Sequence, residues 1–261
     1  MLDELLFNLF AIAPKFPTQQ INIYNCLCLH GILLRGTPGV NKFERFNFMK
    51  VKYRIGPHLF SMFDIEHGML RAASTRPSSF ALLPFVPLPI FSPITDKDSR
   101  KAFALTESMP LINFALFTAS HFSPPFFGLQ SAANLQAELA ACAREYIRCN
   151  VRVRRSDLTV VLPCLFYLYW SDFGTDGNAT VKTDVVKLLL RHAPSPLREA
   201  LEDVVKQHAP SRSSPVASPD GALGAAVAAM TAEKTRANMQ YKFCFDPLSF
   251  DPVIIIQSPA L

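Results

Sequence analysis

Glycine is scarce in this chain of 261 residues, ten in all, and proline outnumbers it at twenty-one. Permissive turns are few, while the residue that ends helices and central strands is common, so many short elements are expected. Charge is low as well: 18% of residues are charged and 49% hydrophobic, which excludes wholesale disorder. No stretch reaches the roughly 18 apolar residues of a membrane span. The most apolar one, Phe80 to Ile94, contains Pro84, Pro87, Pro89 and Pro93 and cannot be a regular helix. The phosphate-cradling GxxxxGK[ST], the dinucleotide GxGxxG and the nucleophile elbow GxSxG are all missing, which leaves nucleotide and α/β-hydrolase readings without support.

Six cysteines occupy positions 26, 28, 142, 149, 164 and 244. Cys26-x-Cys28 lacks the two-residue spacer of a redox pair, and no second pair completes a zinc site. His30 and His67 have no ligand spacing between them. No metal and no cofactor are expected. The start, Met1-Leu-Asp-Glu, puts acid where a secretory leader needs base, so a reducing cytoplasm and free, buried thiols are the expectation.

The formal net charge is +5, and part of it is concentrated. Residues 31–60 hold Arg35, Lys42, Arg45, Lys50, Lys52 and Arg54 against Glu44 alone, interleaved with Phe43, Phe46, Phe48 and Tyr53. This pattern has the ingredients of a single-strand stacking platform. It also fits a solvated basic face with its phenylalanines turned into the core, which is the reading preferred here. Protein partners are therefore expected rather than nucleic acid, and any small-molecule ligand is unknown.

Along the chain, residues 20–35 read as a buried helix on the spacing of Ile23, Leu27, His30 and Leu34. Val51 to Ile55 reads as a short strand closed by a Gly56-Pro57 turn, and Ser61 as the cap of a helix through Arg71. On that helix Asp64, His67 and Arg71 are expected to share one polar edge. A Pro-rich crossing fills 72–109, Pro110 to Phe117 suits a central strand, and an amphipathic helix runs from a Ser131 cap through Ile147. Leu158 to Leu162 is a second strand stopped by Pro163. Helices follow at Thr183–His192 and Ser195–His208, and Tyr241–Asp246 returns as an edge strand. The fold class is α+β, a single domain of several helices on a small mixed or antiparallel sheet. It comprises an extension over 1–19, the domain over 20–246 with a flexible insertion at 209–234, and a tail over 247–261.

In their order these segments resemble the DUF547 family, a domain of unknown function. Ile21-Asn-Ile-Tyr-Asn25 with Leu29-His30 is similar to its "INLYN…LH" helix, and Asp64-Ile-Glu-His-Gly-Met-Leu-Arg71 to its "DIEHGILR" segment. Asp98-Ser-Arg100 resembles its "DPR", Pro110 to Leu116 its "PRIHFAL", and Leu162 to Phe173 its "LPKLF.WY..DF". Two departures bear on chemistry. Phe117-Thr118-Ala119 stands where the family usually has Asn-Cys and Gly, so a thiol is lost, and Asn113 stands where His is common.

The polar residues on these motifs are the candidates for a site. His67 is the acid or base, oriented by Asp64 or Glu66, with Arg71 as an anion clamp. Asn25, His30, Tyr53, Asn113, His121 and Ser123 are candidate binding residues. The preferred reading is a cytoplasmic binding or scaffolding module, and the alternative is a hydrolase or transferase built on the His, carboxylate and Arg cluster.

Overall fold

Proline at the first helical position needs no amide partner, and Pro17 opens a helix, α1, that runs to Arg35 and stops at Gly36, whose φ of 78° few other residues tolerate. The computed structural model describes residues 16–38, 42–74, 94–120, 123–156, 159–174, 178–208 and 243–245. Residues 1–15 of the expected extension, residues 75–93 of the Pro-rich crossing, His121, the 209–234 insertion and the C-terminal tail lie outside the described residues. The chain divides into two compact units, residues 1–146 with 247–261, and residues 147–246.

In the first unit α1 is followed by α2 (Lys42–Met49), β1 (Lys52–Ile55), β2 (His58–Ser61), a π-helix (Asp64–Leu70) and two 3₁₀ helices (Ser99–Phe103 and Pro110–Phe114). Helix α3 (Leu135–Asn150) starts in this unit. β1 and β2 pair antiparallel, Tyr53 opposite Phe60 and Ile55 opposite His58. Gly56 has φ 58°, so Gly56-Pro57 makes the two-residue turn that takes glycine first and suits strand twist. The core gathers Ile21, Leu27, Phe60, Met62, Ile65, Met69 and Phe114, with the Phe114 and Tyr146 rings 5.5 Å apart.

Several expectations are corrected here. Pro110 to Phe117 is not a strand. Pro110 starts a 3₁₀ turn, which a fixed φ favours, and the chain beyond it is held extended by side chains instead of by a sheet. Leu34 leaves the apolar stripe of α1 and is 69% exposed at its end. Ser131 does not cap α3: its Oγ accepts from Ala133 N, while Glu138 reaches back to accept from the amides of Gln130 and Ser131. Ser61 does cap its helix. Its Oγ accepts from Asp64 N, and Asp64 Oδ2 accepts from Ser61 N at 3.0 Å, a reciprocal capping box.

The second unit holds β3 (Arg152–Arg154), β4 (Thr159–Leu162), α4 (Cys164–Leu168), a 3₁₀ turn (Trp170–Phe173), α5 (Asn178–His192), α6 (Ser195–His208) and β5 (Phe243–Phe245). Its sheet has the order β3-β4-β5, antiparallel then parallel, with β5 at an edge as expected. Val160, Leu162, Phe166, Val185, Leu189, Leu201 and Val204 make its core. The whole is α+β, with two small sheets among helices.

Candidate functional site

Three polar residues of α1 look into the first unit. Tyr24 donates its hydroxyl hydrogen to Glu66 Oε2 at 2.9 Å. Asn25 donates from Nδ2 to the carbonyls of Ala115 and Phe127, and its Oδ1 accepts from Phe117 N at 2.8 Å. One turn before Asn25, Asn22 donates to Leu129 O and accepts from Leu129 N. An asparagine side chain presents the same donor and acceptor as a peptide, so these two hold the 115–129 segment against α1 as a neighbouring strand would.

Glu66 lies on the π-helix, whose wide turn is closed by Arg71 N donating to Glu66 O, five residues back, at 2.9 Å. Such turns are rare and recur at functional sites. This one carries Glu66, His67 and Arg71 together. Glu66 is 1% exposed, and His67 Nε2 lies 3.6 Å from its Oε1. Arg71 Nη1 is 3.3 Å from His67 Nδ1. Because a guanidinium only donates, Nδ1 is the acceptor and the ring hydrogen sits on Nε2, facing Glu66. Burial, helped by the Arg71 charge and opposed by Glu66, pushes the imidazole down to about 4, so it is neutral near pH 7.

Asp64 does not join this cluster, against the shared edge expected from regular helical spacing. Its Oδ2 is taken by Ser61 and by Arg100 Nη1 at 3.2 Å, and Arg100 is in turn forked onto Asp98 and bonded to Leu59 O at 2.8 Å. Arg100 holds the Asp98 carboxyl down to about 2. The widened turn carries His67 and Arg71 out of register with Asp64, which an α-helical wheel does not anticipate.

The other candidates are placed separately. His30 Nδ1 is 3.2 Å from the Tyr53 hydroxyl, with the rings edge to face at 5.5 Å. Burial raises the Tyr53 phenol. Ser123 Oγ accepts from Thr118 N and donates to Pro124 O, closing a local turn. Asn113 is buried on its 3₁₀ turn. So the structure brings together Glu66, His67 and Arg71, and keeps Asp64, Asn25, Ser123 and the His30–Tyr53 pair at their own positions.

Sequence reasoning missed four participants: Tyr24, Asn22, Cys28 and Arg45. Asn22 and Asn25 stand three apart on one helix face, a signal present in the sequence. Arg45 reads as part of a solvated basic face, yet it is partly buried and donates to Thr118 O at 3.0 Å. Cys28 follows Tyr24 by one turn, and burial pushes its thiol up to about 12, with Arg45 lowering it and Glu66 raising it. That thiol is inert as a nucleophile near neutral pH. Ala119, next to Thr118, holds a positive φ of 51°.

Among the described residues no three His, Cys, Asp or Glu side chains group to hold a metal ion, and no helix is long and apolar enough to cross a membrane. A cleft of about 360 Å³ lies along residues 105–111 and the start of α3, lined by Leu105, Glu107, Ser108, Pro110, Gln136 and Leu139. None of the candidate residues lines it. No curated protein and no solved structure matches the chain. The segment that carries most of α1, the capping box, the π-helix and the Asn25 clamp does match a family model: residues 19–147 correspond to the one described as "Protein of unknown function, DUF547", and this segment belongs to the DUF547 family.

Proposed function

We propose that this chain acts as a binding or scaffolding module for a protein partner and not as a catalyst. The observation that carries this reading is the use of Asn25: both ends of its amide are spent on the chain's own backbone, at Ala115, Phe117 and Phe127. Ser123 is spent the same way. A general base needs a lone pair directed at a substrate proton, and the Nδ1 lone pair of His67 is directed at Arg71. Thr118 and Asn113 in place of a thiol and an imidazole weaken a nucleophilic mechanism further. The reading includes the cytoplasm as its location, with which the free thiols of Cys26, Cys28, Cys142 and Cys164 agree.

A second reading, a hydrolase or transferase, is favoured by the meeting of Tyr24 of α1 with Glu66, whose π-turn also carries His67 and Arg71. The test is a panel of chromogenic esters, amides, phosphates and glycosides given to the wild type and to His67→Gln, with folding checked by circular dichroism. The binding reading expects no turnover by either. Turnover by the wild type that His67→Gln loses while folded establishes the enzyme instead.

A further inference from the structure

In a two-stranded sheet both strands are edges, and this hairpin treats its two edges differently. A two-residue turn makes Ile55 and His58 a hydrogen-bonded pair, so Tyr53 and Phe60 are the next one. The amides and carbonyls of Leu59 and Ser61 on β2, and of Lys52 and Arg54 on β1, therefore point outward. On β2 side chains meet them: Arg100 donates to Leu59 O, and Asp64 accepts from Ser61 N. On β1 no bond from the described residues reaches the outward groups of Lys52 or Arg54. Both side chains are exposed, and neither has an ion pair among the described residues.

An open edge flanked by cations repels a second copy of itself and admits a strand of opposite charge. We propose that β1 takes an extended acidic peptide as a third strand. Lys52 and Arg54 share one face of the strand and would meet carboxylates at alternate positions of the peptide. Tyr53 and Ile55 share the other face and would meet its apolar positions. Arg35, exposed at the end of α1 and close enough for its charge to lower the Tyr53 phenol, adds a third cation beside the strand. The recognised segment thus alternates acidic and β-branched residues. This inference rests on the binding reading above and names the chemistry of its partner.

The experiment titrates the full chain into a fluorescein-labelled Glu-Val-Glu-Val-Glu-Val peptide and follows anisotropy. Arg54→Ala removes the cation and keeps the outward amide. Arg54→Pro removes both, and leaves the hairpin's own bonds intact because that amide points away from β2. The expected result is binding that slows amide exchange over residues 51–55, weakens with salt, and falls about tenfold further in Arg54→Pro than in Arg54→Ala, the equivalent of one hydrogen bond. The double change Lys52→Glu, Arg54→Glu abolishes it. Equal binding by the Pro and Ala variants overturns strand addition, and so does no binding by the wild type. Tighter binding to phosphatidylserine vesicles or to oligothymidylate than to the peptide overturns the acidic-peptide assignment. A His67-dependent turnover refutes the binding reading by itself, whereas absent peptide binding with absent turnover refutes this proposal alone.

Discussion

The Tyr24 hydroxyl lies 2.9 Å from Glu66 Oε2, joining the first helix to the π-helix across 42 residues of sequence inside a buried core. A carboxylate at 1% exposure needs donors, because a buried charge without them is costly. Tyr24→Phe keeps the ring and removes one donor. Its expected effect is a loss of about 1–3 kcal/mol in unfolding free energy, read from urea denaturation followed by circular dichroism. A change within error of zero would mean that the hydroxyl does not support Glu66.

Asn25 is the larger structural investment. Asn25→Ala strands a buried amide and a buried carbonyl at Phe117 and Ala115 and leaves a small void. The expected loss is about 3 kcal/mol. Ser123→Ala, on a half-buried local turn, is expected to cost about 1 kcal/mol. Equal losses for the two would show that the 115–129 segment is not held by α1.

Acid should destabilise the fold in two windows. The folded imidazole of His67 is held down to about 4 from its ordinary 6.5, so between those values the unfolded chain binds a proton that the folded one refuses. Stability is full above about 6.5 and falls as pH drops toward 4, by at most about 3 kcal/mol. Asp98 is held down to about 2 from 3.8, and its contribution is lost below the first window, as pH falls from 3.8 toward 2. Urea midpoints measured across pH for wild type and His67→Gln check this: the variant should lack the slope between 6.5 and 4 and keep the lower one. An unchanged upper slope would assign it to another group.

Ala119 holds a φ of 51°, a left-handed conformation that costs an L residue about 1–2 kcal/mol. Glycine removes that strain and loses some unfolded-state restriction, so Ala119→Gly is expected to stabilise by about 0.5–1 kcal/mol. Differential scanning calorimetry reads this as a raised Tm. A lowered Tm would show that the Ala119 methyl, which is buried, contributes more by packing than the backbone loses.

Much of the local architecture was legible in advance. Ser195-Pro196 opened its helix, Pro163 stopped β4, and Gly56-Pro57 turned the hairpin, because these residues restrict φ or remove a donor wherever they stand. The Ser61–Asp64 cap was readable for the same reason: its partners are three residues apart. Pro110 to Phe117 was not. Its apolar run is shared by a buried strand and by a buried turn, and what separates them is Asn25, 92 residues from Phe117. The basic run was half legible, since charge alone does not say that Arg45 turns inward to Thr118 while Lys52 and Arg54 stay out.

The sequence alone carried the family segment in its motifs, and it determined the α+β class and the breaks at Gly36, Gly56-Pro57 and Pro163, which follow from periodicity and short-range sterics. The tertiary structure decided the rest. It widened the Asp64–Leu70 turn so that Glu66, His67 and Arg71 meet without Asp64, and it turned Tyr24 and Asn25 onto groups far along the chain. It also capped one edge of the hairpin with Arg100 and Asp64, while no bond from the described residues reaches the outward groups of the other. Those outcomes depend on which distant atoms come within 3 Å or so of one another, and no local pattern of residues encodes that distance.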